Sequence, residues 1–168
     1  MTLDEYSGFV RLSWQGDPDD LTQSARQLCA EAGEILSKFN KLDYKPNSSI
    51  STLDLEQEIG DLLYYVVLTS LMTGTLPLLH LALNGLSPLE CEDPHTRTET
   101  MHRMIDKTNA VMGMSLQYEP NTETIGVYLV EILEKAANLL ADYDITIAEC
   151  MKTNKKKLDS SDFNGWRA

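Results

Sequence analysis

Between Asp61 and Glu90 the chain runs for 28 residues without one Asp, Glu, Lys or Arg. A charge-free stretch of that length belongs either in a bilayer or inside a protein. Gly74-Thr75-Leu76-Pro77 breaks it in the middle, His80 and several Ser and Thr sit within it, and neither flank is rich in Lys or Arg. Membrane helices are flanked asymmetrically by cationic residues, so the pattern does not suit a span. It suits two helices buried in a bundle and joined by a Gly-Pro turn. The expectation is an all-α helical bundle with no membrane contact.

Apolar spacing carries the same reading along the chain. Residues 2–14 read as a short helix ending near Gly16-Asp17-Pro18. Asp19 or Asp20 then caps a long helix over about 21–42. Its apolar positions, Leu21, Ala25, Leu28, Ala32, Ile35, Phe39 and Leu42, fall on one stripe, flanked by Gln27, Glu31, Glu34 and Lys38. After a turn-rich loop over 43–51, Ser51 or Thr52 opens a helix to about 73. Leu55, Ile59, Leu62 and Val66 make its apolar row, and Glu58, Asp61 and Tyr65 an adjacent one. Further helices are expected over 76–83, 96–116 and 124–141, with Met101, Met104, Ile105, Val111 and Met114 in the core. Thr146-Ile147-Ala148-Glu149 has the form of a capping box and opens a last helix toward Leu158. The tail over 159–168 reads as polar and loose. No stretch alternates strictly enough for a strand.

At 168 residues the chain reads as one domain, with 73–125 as an extended segment between its outer parts. The formal charge of -12 is a poor match to a phosphate backbone, which argues against nucleic-acid binding. Small phosphorylated substrates remain open, because a bound cation inverts the local field. Cys29, Cys91 and Cys150 are widely spaced, odd in number and without C-x-x-C, as expected of reduced thiols in a cytoplasmic protein. Met1 to Glu5 lacks the basic and apolar regions of a signal peptide.

The chemistry-bearing residues are two carboxylate pairs, Glu31 with Glu34 and Glu58 with Asp61. Residues three apart on a helix are neighbours, so each pair can grip a cation from one side. Two pairs on facing helices would suit Mg²⁺, which takes oxygen ligands and shares substrate phosphates. The plainer alternative is a solvated acidic face, the usual meaning of an E-x-x-E on an amphipathic helix. Gly33 and Gly60 lie inside the two motifs, each at a cost of about 1 kcal/mol in helix propensity against Ala. The expected compensation is a close approach of the two helices, bringing the acid pairs together. Trp14 and Tyr65 either stack on a base or simply pack. His80, His95 and His102 show no ligand spacing. The Met-rich 101–114 segment reads as adaptable core.

The chain also shows a faint internal repeat. Laying Glu58-Ile59 over Glu131-Ile132 places Asp61 on Glu134, Glu31 on Met104 and Glu34 on Lys107. On that alignment the bundle divides into two packed helical hairpins, one active and one degenerate, although the register fails in the later turns.

Glu31-Ala-Gly-Glu34 followed by Glu58-Ile-Gly-Asp61-Leu-Leu-Tyr-Tyr-Val resembles the E-x-x-E … E-x-x-D signature of the all-α nucleoside triphosphate pyrophosphohydrolases, in particular the MazG-like branch. The Thr2-Leu3-Asp4-Glu5-Tyr6 opening and Asn154-Lys155-Lys156-Lys157-Leu158, similar to the family's closing N-x-x-K-L, extend the likeness over about 1–72 and 126–158. Related dimeric dUTPases look like duplicated versions of the same hairpin. The resemblance implies hydrolysis of a nucleoside or deoxynucleoside triphosphate by water attack at the α-phosphorus, giving the monophosphate and pyrophosphate. It implies that Glu31, Glu34, Glu58 and Asp61 hold Mg²⁺, with Mn²⁺ as a substitute, and that Glu34 orients or deprotonates the water. Asn154 and Lys157, with Lys38 as a further candidate, would contact the phosphates or the nucleotide. It also implies a homo-oligomer, dimer or tetramer. The alternatives are a non-catalytic helical interaction protein, or a phosphohydrolase that releases inorganic phosphate.

Overall fold

The computed structural model describes residues 1–160, so the expected loose tail beyond Ser160 lies outside the described residues. Those residues form seven helices and no strand, an all-α bundle as expected. Helix α1 (Leu3–Ser13) opens with a capping box in which Thr2 accepts from the Glu5 N–H and Glu5 accepts from the Thr2 N–H. Helix α2 (Leu21–Tyr44) starts at Asp20, whose carboxylate accepts from the Gln23 N–H, and runs two residues past Leu42. Helix α3 (Thr52–Thr73) is capped by Ser51 and stops at Gly74, whose φ of +69° only glycine adopts cheaply.

Helix α4 (Leu76–Asn84) takes Pro77 in its first turn, where no intrahelical N–H is needed. The same tolerance lets α5 (Pro94–Ser115) begin on Pro94 behind an Asp93 cap, earlier than the expected 96. Helix α6 (Thr122–Ala141) follows Asn121, and α7 (Ile147–Asp159) follows the predicted capping box at Thr146.

Helices α2, α3, α5 and α6 form the central bundle: α2 packs on α3 and α5, and α6 on α5 and α3. Helices α1 and α7 cover α3, and α4 covers α6. Enclosed by five neighbours, α3 is buried on every side from Leu62 to Ser70. That enclosure accounts for the first half of the charge-free stretch, but the expected second buried helix is not one: α4 lies over α6 at the surface, burying only Leu79 and leaving Leu81 exposed. No described helix is long and apolar enough to cross a membrane. The hydroxyls within it are satisfied: Ser24 and Thr69 lie 2.6 Å apart, and Ser70 donates to the Val67 carbonyl at 2.7 Å. Met101, Met104 and Val111 are fully buried as expected, with Ile105 and Met114 half-buried against them.

The glycine expectation needs correcting. A Cβ on Gly60 would lie 2.8 Å from the Cys150 carbonyl and 2.9 Å from Asn154 Cβ, so its close approach is to α7 rather than α2. Around Gly33 there is open space. The buried stripe of α2 runs through Leu28, Ala32 and Ile35, and Gly33 lies off it, exposed.

Candidate metal centre

Glu31 and Glu34 project from α2 one turn apart, and Glu58 from the first half of α3. One carboxylate oxygen from each of the three lies within 4.8 Å of the others. Lys38, a turn beyond Glu34, brings its Nζ to 3.5 Å from Glu58 Oε1. The other oxygen, Glu58 Oε2, is buried with no hydrogen-bond partner among the described residues. A desolvated carboxylate oxygen left in that state is expensive unless a cation takes it. The donors are all hard oxygens, a set that suits Mg²⁺ better than a soft metal. The residues present therefore fit the ion that the sequence implies.

Asp61 stands apart from this trio. Its Oδ1 accepts from Asn154 Nδ2 at 2.9 Å, and its Oδ2 pairs with Lys157 Nζ, both on α7. The four carboxylates expected to converge are thus three that do so and one tied to α7. Asp61 and Glu31 still share the lining of a cavity of about 40 Å³ with Tyr64, Tyr65, Asn154, Lys157 and Leu158. Such a space admits water-sized groups.

The crowding of acids shows in their proton affinity. Burial first, then the negative charges of Asp61 and Glu34, push the Glu31 carboxyl up to about 8, with the Lys157 ammonium opposing. Burial also raises Asp61, partly countered by its bond to Lys157. Burial and the nearby Glu31 charge raise the Tyr65 phenol above its ordinary value. Four carboxyl groups face two ammoniums here, so with Glu31 ionised the site carries an excess of negative charge that a divalent cation would balance.

Helix α7 completes the site, and its placement follows from local chemistry. Gly60 lets it approach α3 closely, and Thr153 Oγ1 donates to Glu56 Oε2 at 2.8 Å. Asn154 is only 1% exposed. Its Oδ1 accepts from the Tyr6 hydroxyl at 2.8 Å while its Nδ2 serves Asp61. The amide thus orients Asp61 from a position on the wall of the small cavity that Glu31, Asp61 and Lys157 also line. Tyr6, fully buried on α1, is a supporting residue that sequence reasoning missed. It lies in the Thr2–Tyr6 opening, but no periodicity reveals the partner of its hydroxyl.

Trp14 and Tyr65 pack edge to face at 6.4 Å, and Tyr65 is buried, so this pair behaves as core. His80 lies elsewhere, with its Nε2 2.9 Å from Asp4 Oδ1. The three cysteines are free. No family model matches the chain, and neither a curated protein nor a solved structure matches it.

Proposed function

We propose that the chain is a Mg²⁺-dependent nucleoside triphosphate pyrophosphohydrolase of the MazG-like type, working in the cytoplasm as a homo-oligomer. One observation carries this reading: Glu31, Glu34 and Glu58 converge at the positions of the E-x-x-E … E-x-x-D signature, and Glu58 Oε2 is buried without a partner. Glu31, Glu34 and Glu58 would hold Mg²⁺, and Asp61 borders them in the orientation that Asn154 and Lys157 impose. When bound, the ion would neutralise the polyphosphate and acidify a coordinated water.

Glu34 is the most exposed of the trio and is within reach of incoming water. Its carboxylate takes a proton from the water that attacks the α-phosphorus. The new P–O bond forms as the bond from the α-phosphorus to the bridging oxygen breaks, and pyrophosphate leaves with that electron pair. Lys38 and Lys157, already paired to Glu58 and Asp61, supply ammonium donors for phosphate oxygens at the mouth of the site.

The test is incubation with Mg²⁺ and a panel of ribo- and deoxyribonucleoside triphosphates, with every product resolved. Monophosphate and pyrophosphate in equal amounts are expected from one or a few of them. Release of inorganic phosphate would point to a different hydrolase. No turnover with Mg²⁺ or Mn²⁺ would move the weight to a helical interaction protein.

A further inference from the structure

The second half of the chain repeats the helix plan of the first. Helix α1 begins at Leu3 and α4 at Leu76, and α2 begins at Leu21 and α5 at Pro94, so 73 residues separate the members of each pair. The N-caps match at the same displacement, Thr2 with Thr75 and Asp20 with Asp93. Packing matches as well: α1 lies on α3 as α4 lies on α6, and α2 pairs with α3 as α5 pairs with α6. The displacement that places Glu58-Ile59 on Glu131-Ile132 in sequence therefore also relates these helix starts.

Carried across, the metal-centre positions Glu31, Glu34, Glu58 and Asp61 fall on Met104, Lys107, Glu131 and Glu134. The last three line one cleft of about 490 Å³ with Arg103, Asp106 and Lys135. Lys107 Nζ lies 3.4 Å from Glu131 Oε2 and 4.5 Å above the Tyr128 ring. Met104 is fully buried and gives the cleft no charge. We propose that the α5–α6 cleft is a second, closed cation site, in which the ammonium of Lys107 stands where its α2–α3 counterpart takes a divalent ion.

Charge explains why it is closed. Three acids and three bases line the second cleft, so nothing in its field draws a divalent ion, whereas the first cleft keeps an excess of carboxylates. The tethered ammonium needs no recruitment from solution, and the Tyr128 face adds a cation–π contact. The chain would bind divalent ions at the first cleft alone, with Lys107 as the switch residue of the second.

This inference rests on reading the first cleft as a cation site, and the experiment separates the two. Mn²⁺ binding is counted by electron paramagnetic resonance, and thermal stability is followed with and without Mn²⁺, for the wild type, E58Q and E58Q/K107E. E58Q should lose the wild-type Mn²⁺, and E58Q/K107E should regain about one ion per chain. Its Tm should rise by about 5–10 °C in Mn²⁺ at about 100 times its Kd. A folded E58Q/K107E that binds no more Mn²⁺ than E58Q overturns the proposal. If that variant does not fold, E58Q/K107Q decides: a Mn²⁺-dependent Tm rise absent from E58Q supports the closed site, and no rise overturns it. A wild type that takes up no Mn²⁺ would sink the reading of the first cleft while leaving the comparison against E58Q valid.

Discussion

The cleft between α2 and α3 and the cleft between α5 and α6 are built on the same helix plan, yet their side chains have opposite consequences. In the first, Glu34 and Glu58 converge with Glu31, and Glu58 Oε2 is left without a partner among the described residues. In the second, the corresponding pair is Lys107 and Glu131, an ion pair complete in itself. The flanks differ too. Helix α7 packs along α3 and brings Asn154 and Lys157 to Asp61, whereas the helix covering α6 is the apolar α4. On the proposed reading, a hairpin of this type is a scaffold, and a handful of charges plus one added helix would decide whether it takes an ion.

The largest expected contrast is in turnover. E58Q or D61N in the first cleft should cut triphosphate hydrolysis by more than about 100-fold while the helical circular dichroism is retained. E131Q in the second cleft should leave it within about twofold of wild type. Equal losses from both clefts would erase the functional difference between them.

Glycine substitutions sharpen the contribution of α7. G60A places a Cβ 2.8 Å from the Cys150 carbonyl, so it should cost about 1–3 kcal/mol and lower turnover by moving Asn154 and Lys157 away from Asp61. G33A meets open space and should stabilise the fold by up to about 1 kcal/mol through helix propensity. Denaturant melts with parallel assays check both, and a harmless G60A would remove the close α7 approach from the argument.

A further contrast is in pH dependence. Glu31 holds its proton in the folded protein up to about 8, against 4.5 in the unfolded chain. Between those values the folded state binds more protons, so metal-free stability should fall as pH rises through that window. Mg²⁺ should flatten the slope by replacing the proton, and E31Q should remove most of it, leaving the part that comes from the raised Asp61 carboxyl. Urea melts from pH 5 to 8, in chelator and in Mg²⁺, measure this directly. A metal-free slope unchanged in E31Q would assign the titration to another group.

Much of the fold was legible before any coordinates, because it rests on local signals. The Leu21–Leu42 stripe, the Gly74 stop and the Thr146 capping box each act within a few residues, and each lies where periodicity and capping put it. The charge-free stretch pointed to enclosure, which α3 has and the surface helix α4 does not. The convergence of Glu31, Glu34 and Glu58 followed from two helical rows, since residues three or four apart share a face.

Tertiary structure decided the rest, for reasons of distance along the chain. The Tyr6–Asn154 bond joins residues 148 apart, and the Asn154–Asp61 bond residues 93 apart. No periodicity encodes such pairings. The role of Gly60 turned on which helix came close, and Asp61 turned toward α7 because Lys157 and Asn154 offered charge and a hydrogen bond there. Sequence alone determined the helices, their buried faces and which acids could meet. Only packing decided which of those acids kept an unpartnered oxygen and which were already neutralised, because burial and long-range ion pairing are properties of the assembled bundle.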